Sequence, residues 1–208
     1  MSARWYARQR GTPSQIAAFR EQAAQLTRGI PAGAHVLEVA PGPGYLAIEI
    51  ARLRGLSVTG LDISRTMVEI ARENASAAGV GVDLRQGDVT TMPFEDGSFD
   101  LVVCQAAFKN FRRPLSALDE INRVLRPGGR AVIQDMRREA SGADIATEVK
   151  AQGLNAVNGF IVRRVLAGLR SRAYSVDQFE GLVAESRFGG CSIGSDGIAL
   201  EVTLEKTA

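Results

Sequence analysis

Short apolar runs alternate with amphipathic helical stretches along most of the chain, and no other feature limits the possible folds as tightly. Residues 35–39, 57–62, 80–85, 99–104 and 130–136 each read as a buried strand. Before the first of them, Thr12 caps a helix with Pro13 at its first position and Ile16, Phe19, Ala23 and Leu26 at helical spacing. A Gly/Pro loop at 40–44 leads into a helical stretch over 45–54. Ser64 caps a helix bearing Met67, Val68, Ala71 and Ala75. Pro114 opens another, with Leu115, Leu118, Ile121, Val124 and Leu125 on one face and Gly128-Gly129 as its stop. Strands separated by helices lie parallel, joined by right-handed crossovers, with helices on both faces. The expected architecture is therefore a doubly wound, Rossmann-like α/β sheet.

The last third departs from this rhythm. Residues 138–172 read as helical, with a break near Asn158-Gly159 and Leu154, Val157, Ile161, Val165 and Leu169 on one face. Ser175 and Gln178 have capping-box spacing. Cys191-Ser192-Ile193 and the alternating Ile198, Leu200, Val202 and Leu204 flank residues 194–197, which predicts an antiparallel hairpin closing a mostly parallel sheet. No repeat or linker interrupts the chain, so 1–208 reads as one domain. Its parts are an N-terminal helical cap segment (1–34), a core (35–136), a helical cap insert (137–174) and a final helix and hairpin (175–208).

Composition excludes several classes. With 45% hydrophobic and 23% charged residues the chain is neither disordered nor fibrous. It holds no uncharged apolar run long enough for a membrane span, and residues 1–6 lack the apolar centre of a secretory signal. Cys104 and Cys191 are too few for a disulfide framework, so a cytoplasmic setting is expected. The net charge of +2 conceals a division: residues 1–35 and 137–174 carry +4 each, and the remainder carries −6.

Open parallel sheets bind ligands beyond the carboxyl ends of their strands. Those ends here are the 40–44 loop, Asp62, Asp88, Gln105 and Asp135. The loop permits close backbone approach, and the helix after it offers N–H groups to an anion. Asp62 stands where a carboxylate can accept from a ribose diol, and Asp88 where one can meet an exocyclic amine. The set describes a site for an adenosine-containing ligand. Gly42-x-Gly44-x-x-Ala47 with Asp62 also satisfies the dinucleotide fingerprint, so NAD is one candidate.

Four blocks resemble, in order, the motifs of class I S-adenosylmethionine-dependent methyltransferases. They are Val36-Leu37-Glu38-Val39-Ala40-Pro41-Gly42-Pro43-Gly44; Leu61-Asp62-Ile63-Ser64 with Met67; Gly87-Asp88-Val89 with Met92-Pro93-Phe94 and Ser98-Phe99-Asp100-Leu101-Val102; and Arg123-Val124-Leu125-Arg126-Pro127-Gly128-Gly129-Arg130. The resemblance implies that Glu38 and the loop of Ala40, Pro41, Gly42 and Gly44 hold the methionine end of the cofactor. It also implies Asp62 on the ribose hydroxyls, Ile63 and Met67 against the adenine, Asp88 and the backbone of Val89 at the adenine edge, and Gln105 lining the pocket. Ala40 departs from the family's usual glycine, which would lengthen that contact. The implied activity is metal-independent, in-line methyl transfer from S-adenosyl-L-methionine to a small molecule, leaving S-adenosyl-L-homocysteine. The alternatives are an NAD(P)-dependent oxidoreductase and a non-catalytic protein that keeps the cofactor fold.

The acceptor is narrowed by exclusion. Cys104-Gln105-Ala106-Ala107 is not the Asn/Asp-Pro-Pro-aromatic tetrad of amino-methylating DNA enzymes, so no nucleic-acid partner is expected. The paired glutamates of protein arginine methyltransferases and the carboxylate of metal-dependent catechol enzymes are also missing from that stretch. Phe108-Lys109-Asn110-Phe111 before Pro114 resembles a segment of ubiquinone/menaquinone-biosynthesis C-methyltransferases. His35, the only histidine, sits at the wrong end of its strand for a base. Tyr6, Lys109, Asn110, Asp135 and Tyr174 remain as polar candidates, and no catalytic residue is singled out. The acceptor is expected beneath the two cap segments. Trp5, Tyr6, Phe19, Phe108, Phe111, Phe160 and Tyr174 would line an aromatic pocket there, and the basic segments would favour an anionic molecule, unless their arginines only solvate helix faces.

Overall fold

The computed structural model describes residues 3–53, 55–151 and 156–207. Two helices, α1 (Ala3–Arg10) and α2 (Pro13–Leu26), precede β1 (His35–Val39), α3 (Tyr45–Ala51), β2 (Ser57–Asp62), α4 (Arg65–Ala78) and β3 (Asp83–Gln86). Then come β4 (Phe99–Gln105), α5 (Pro114–Val124), β5 (Leu125–Met136), α6 (Gly142–Ala151) and α7 (Ala156–Arg170), followed by α8 (Val176–Glu185), β6 (Ser192–Asp196) and β7 (Ala199–Glu205). They form one sheet in the order β3-β2-β1-β4-β5-β7-β6. The first five strands are parallel, and β7 runs antiparallel to both β5 and β6. The inserted antiparallel strand separates this sheet from the all-parallel 3-2-1-4-5-6 order of dinucleotide-binding domains.

Helices on both faces explain why β1 and β4 read as continuous apolar runs. On one face Leu118, Ile121, Phe179 and Val183 of α5 and α8 pack over Leu37, Val39, Val102 and Cys104. On the other, Phe19, Ala23, Leu26, Leu46 and Ile50 of α2 and α3 cover Val36, Val58, Leu101 and Val103. Thr12 caps α2, Ser64 caps α4, and Ser175 with Gln178 forms a complete capping box on α8, as their spacing predicts.

Several boundaries differ from the sequence expectation. Strand β3 begins at Asp83, because Gly79 (φ 68°) and Val80 close the end of α4, the Val80 N–H donating to Ala75 O. Helix α3 ends at Ala51, and Arg54 lies outside the described residues. Helix α5 stops at Val124, and β5 follows without a gap. Gly128 and Gly129 therefore do not stop a helix. They sit in a bulge where the β4–β5 register jumps from Phe99↔Leu125 to Leu101↔Arg130. A Cβ on Gly129 would come within 2.9 Å of Arg126 O.

Residues 137–141 form a turn, not helix, and Asn158-Gly159 lies inside α7 without breaking it. Leu154 is outside the described residues. The inward face of α7 is Leu166 and Leu169, packed near Met136, Ala140, Ile145 and Ala173, whereas Ile161 and Val165 are exposed. The hairpin turns at Gly197-Ile198, and residues 194–196 belong to β6. Gly197 adopts φ 51°, a conformation the other turn candidates avoid. Cys104 is buried in β4, and Cys191 is half-buried just before β6.

Candidate functional site

The sheet reverses its strand order between β1 and β4, and the chain leaves both strands through a left-handed residue. Ala40 (φ 55°) follows β1, and Ala106 (φ 54°) follows β4; among the described residues no other non-glycine has positive φ. The two departures open a crevice at the switch point. Asp62 fixes its floor: one carboxylate oxygen accepts from Gly42 N–H at 3.0 Å and the other from Ser64 N–H at 2.8 Å. The 40–44 loop is thus tied to the start of α4. Gly44 (φ 80°) lies against that helix, where a Cβ would come within 2.9 Å of Ala71 Cβ.

Three adjoining cavities follow the crevice. The first, about 700 Å³, is lined by Ala40, Ile63, Asp88, Val89, Ala107 and Phe111, among others. The second, about 110 Å³, lies between Glu38, Ala40, Pro41, Gly42 and Gln105, under Tyr6 and Arg10 of α1. The third, about 900 Å³, lies beneath α6 and α7 and against the hairpin. Ala40 and Ala107 border the first two cavities, and Tyr6, Arg10, Gln105 and Ala106 border the last two, so the trough is continuous.

The structure thus brings Glu38, Ala40, Pro41, Gly42, Ile63, Asp88, Val89 and Gln105 to one trough. Asp62 is buried beneath the loop, Gly44 caps α3, and Met67 is half-buried on the first turn of α4. None of these three lines the first or second cavity.

Glu38 is 3% exposed, and its Oε2 has no hydrogen-bond partner among the described residues. Burial pushes its carboxyl up to about 8, against a lowering contribution from the Ala47 backbone. Burial also raises Asp62, opposed by the N–H groups of Ser64 and Gly42. Asp88 is held below the usual range by the N–H and hydroxyl of Thr90, each 2.8 Å from its Oδ1. The buried Cys104 thiol is pushed up by desolvation and stays protonated, which argues against a nucleophile.

The third cavity is walled by polar side chains. Lys109, in a short 3-10 turn after β4, places Nζ 2.6 Å from Asp135 Oδ1 and 2.7 Å from Ala106 O. Asp135 also accepts from the N–H groups of Lys109 and Met136. Gln105 donates to Gln22, Gln22 to Gln134, and Gln134 to Glu201. Of the polar candidates, Tyr6, Lys109, Asn110 and Asp135 line this cavity. Tyr174 instead packs its ring on Phe108 and Phe179. His35 lies at the opposite end of the sheet, its N–H donating to Asp100.

The aromatic residues divide in the same way. Tyr6 lines the second and third cavities, Phe19 the second and Phe111 the first. Phe108 is fully buried, whereas Phe160 and Trp5 are exposed. Arg10, Gln22, Gln134 and Glu201 also line the third cavity and were not anticipated. Gln134 left one trace in the sequence, a polar residue inside the apolar run 131–136. Among the described residues no cluster of three His, Cys, Asp or Glu side chains could hold a metal ion. No described helix is long and apolar enough to cross a membrane.

A fold with this sheet order and this trough is that of a methyltransferase, and the relatives agree. Residues 37–133 match the family model described as a methyltransferase domain. The chain is 39% identical over 108 residues to the demethylmenaquinone methyltransferase of Deinococcus radiodurans, covering 51% of this chain and 45% of that one. It is 30% identical over 164 residues to the ubiquinone biosynthesis O-methyltransferase of Xanthomonas axonopodis pv. citri, covering 74% and 68%. The crystal structure of a SAM-dependent methyltransferase from Aquifex aeolicus shares the fold over the full length of both chains, with a TM-score of 0.73 at 19% identity. The chain spans about half the length of the demethylmenaquinone methyltransferases it matches. It belongs to the class I S-adenosylmethionine-dependent methyltransferases.

Proposed function

We propose that this chain transfers a methyl group from S-adenosyl-L-methionine to a small molecule. The observation that carries this reading is the continuous trough, with the buried carboxyl of Glu38, its Oε2 unpartnered among the described residues, at its centre and an exposed-edge carboxylate, Asp88, at one end. Glu38 suits the ammonium of the cofactor's methionine end, beside the backbone of Ala40, Pro41, Gly42 and Gly44. Asp62, whose two oxygens each retain acceptor capacity after holding the loop, suits the ribose diol. Ile63 and Val89 would flank the adenine, with Asp88 at its amine and Gln105 at the reacting end. Met67 would support the adenine side from α4.

When bound, the cofactor supplies a methyl carbon on a sulfonium, a leaving group activated without a Lewis acid, and S-adenosyl-L-homocysteine remains afterwards. The protein's part is then alignment and exclusion of water. Strands β1 and β4 fix the trough, while Tyr6 and Arg10 of α1, Gln22 of α2, Glu148 of α6 and Leu166 and Leu169 of α7 line the third cavity, where the acceptor would sit. The inserted antiparallel β7 counts against the NAD(P)-dependent oxidoreductase reading.

Calorimetric titration tests the proposal. Micromolar binding of S-adenosyl-L-homocysteine, with none of NAD, is expected; binding of NAD alone would overturn it. Asp62→Ala is expected to weaken S-adenosyl-L-homocysteine binding by about 30- to 100-fold, the loss of charged hydrogen bonds worth roughly 2–3 kcal/mol. Unchanged affinity would remove Asp62 from the site. Labelled methyl transfer separates an enzyme from a binding protein that keeps the fold.

A further inference from the structure

The amides in the third cavity are wired in one direction. Glu201, as a carboxylate, can only accept, so Gln134 must turn its NH₂ toward it, which it does at 2.7 Å. The Gln134 carbonyl then faces back and takes the Gln22 NH₂, and the Gln22 carbonyl takes the Gln105 NH₂ at 2.6 Å. The three amides come from α2, β4 and β5, and the carboxylate that orients them comes from β7. What remains at the near end is Gln105 Oε1, to which no described residue donates. Gln105 borders both the second and third cavities, so its side chain stands where the cofactor trough meets the acceptor space.

The charge of that space points the same way. Besides Glu148, which has a partner of its own, the third cavity is lined by Arg10 and Lys109 against Asp135, Asp196 and Glu201, and Lys109 is matched by Asp135 at 2.6 Å. The basic excess of the two cap segments is therefore not expressed in the cavity lining. An acidic cavity ending in a hydrogen-bond acceptor repels carboxylates and phosphates and takes a cation carrying N–H groups.

Resting on the methyltransferase reading, we propose that the acceptor is a small cationic amine whose N–H donates to Gln105 Oε1, and that Glu201 is the positioning residue that keeps this oxygen outward. The ammonium gives one proton to water, and the freed nitrogen lone pair forms the N–C bond. The C–S bond breaks with its electrons kept by sulfur, and the product leaves as a methylated ammonium.

The full chain is assayed with methyl-labelled cofactor against tyramine, cadaverine and spermidine, with 4-hydroxyphenylacetate and catechol as anionic and neutral counterparts. Label on an amine nitrogen, at ten times or more the rate of either counterpart, is expected. Equal or faster labelling of the counterparts, or no labelled amine in a chain that binds S-adenosyl-L-homocysteine, overturns the proposal. Failure of the unchanged chain to bind S-adenosyl-L-homocysteine strikes the underlying reading instead. Glu201→Gln keeps the shape but lets the relay flip. It is expected to raise KM for the amine about five- to tenfold, with kcat and S-adenosyl-L-homocysteine affinity within twofold. An unchanged KM, or a parallel loss of S-adenosyl-L-homocysteine affinity, contradicts the role given to Glu201.

Discussion

The two ends of the trough are built by different means. The part proposed for the cofactor draws much of its lining from strand ends and the loops directly after them: residues 40–43, Ala107 and the stretch 87–90. The larger cavity is made of side chains from α1, α2, β4, β5, α6, α7 and the hairpin, elements that meet only in the finished fold. A backbone cradle needs particular glycines and turns at fixed spacing, so it leaves a motif. A side-chain cavity needs only that distant positions converge, so it leaves almost none.

Perturbing the side-chain cavity should therefore be the more damaging to stability. Lys109 and Asp135 form an ion pair in which each side chain is 5% exposed. Lys109→Met strands the Asp135 charge and is expected to lower unfolding free energy by about 3–5 kcal/mol in urea titrations. Adding Asp135→Asn, which removes the stranded charge and keeps one oxygen for one of the two N–H groups that Asp135 accepts, should recover about half of the loss. Destabilisation below about 1 kcal/mol would show that the pair is not closed off from water.

In the cofactor half the main sensitivity is to pH. Glu38 keeps its proton to about 8 in the fold, while an unfolded chain releases it near 4.5. Between those values the native state binds more protons, so stability falls as pH rises from about 5 to 8, by an amount on the order of 2–4 kcal/mol. Glu38→Gln should flatten this slope in melts of the ligand-free protein across that range. A slope that survives the substitution assigns the pH dependence elsewhere.

The smallest effect concerns the left-handed residue after β1, inside the cofactor half. Ala40 sits in a left-handed conformation that costs an L-residue about 1–2 kcal/mol, against roughly 0.5–1 kcal/mol of added chain entropy for glycine. Ala40→Gly should thus raise stability by about 0.5 kcal/mol, whereas Ala47→Gly, inside α3, should lower it by about 1 kcal/mol. Chemical denaturation of both variants checks the sign.

The same contrast explains what could be read from the sequence. Strand–helix alternation revealed the parallel sheet, and alternation at Ile198, Leu200, Val202 and Leu204 revealed the hairpin, because burial on one or two faces imposes a period. Asp88 and Gln105 were legible because each ends a strand or lies in the loop beyond it, and Glu38 because it stands in the acidic-then-glycine motif that carries the family resemblance. The Gln22–Gln134–Glu201 relay was not: Gln134 meets Glu201 through an antiparallel register, and neighbours in sequence say nothing about that pairing. The bulge at Gly128-Gly129 was mistaken for a helix stop because both features call for a residue free to take positive φ. The exposed Ile161 and Val165 were misplaced because a helix with apolar residues on two sides does not declare which side faces inward.

The insertion of β7 between β5 and β6 also bears on the order of assembly. The pairs β1–β2, β2–β3 and β4–β5 close over about twenty residues or fewer, whereas β1–β4 and β5–β7 each join strands about sixty residues apart. Loops of that length are entropically slow to close, so the β1–β4 and β5–β7 ladders are both expected to zip after the local pairs. Strand β6, whose only sheet neighbour is β7, has nothing to dock on until then. A partly folded chain that holds only the local pairs would accordingly lack both the crevice at β1 and β4 and the Gln134–Glu201 contact, so the two ends of the trough are expected to appear late and together.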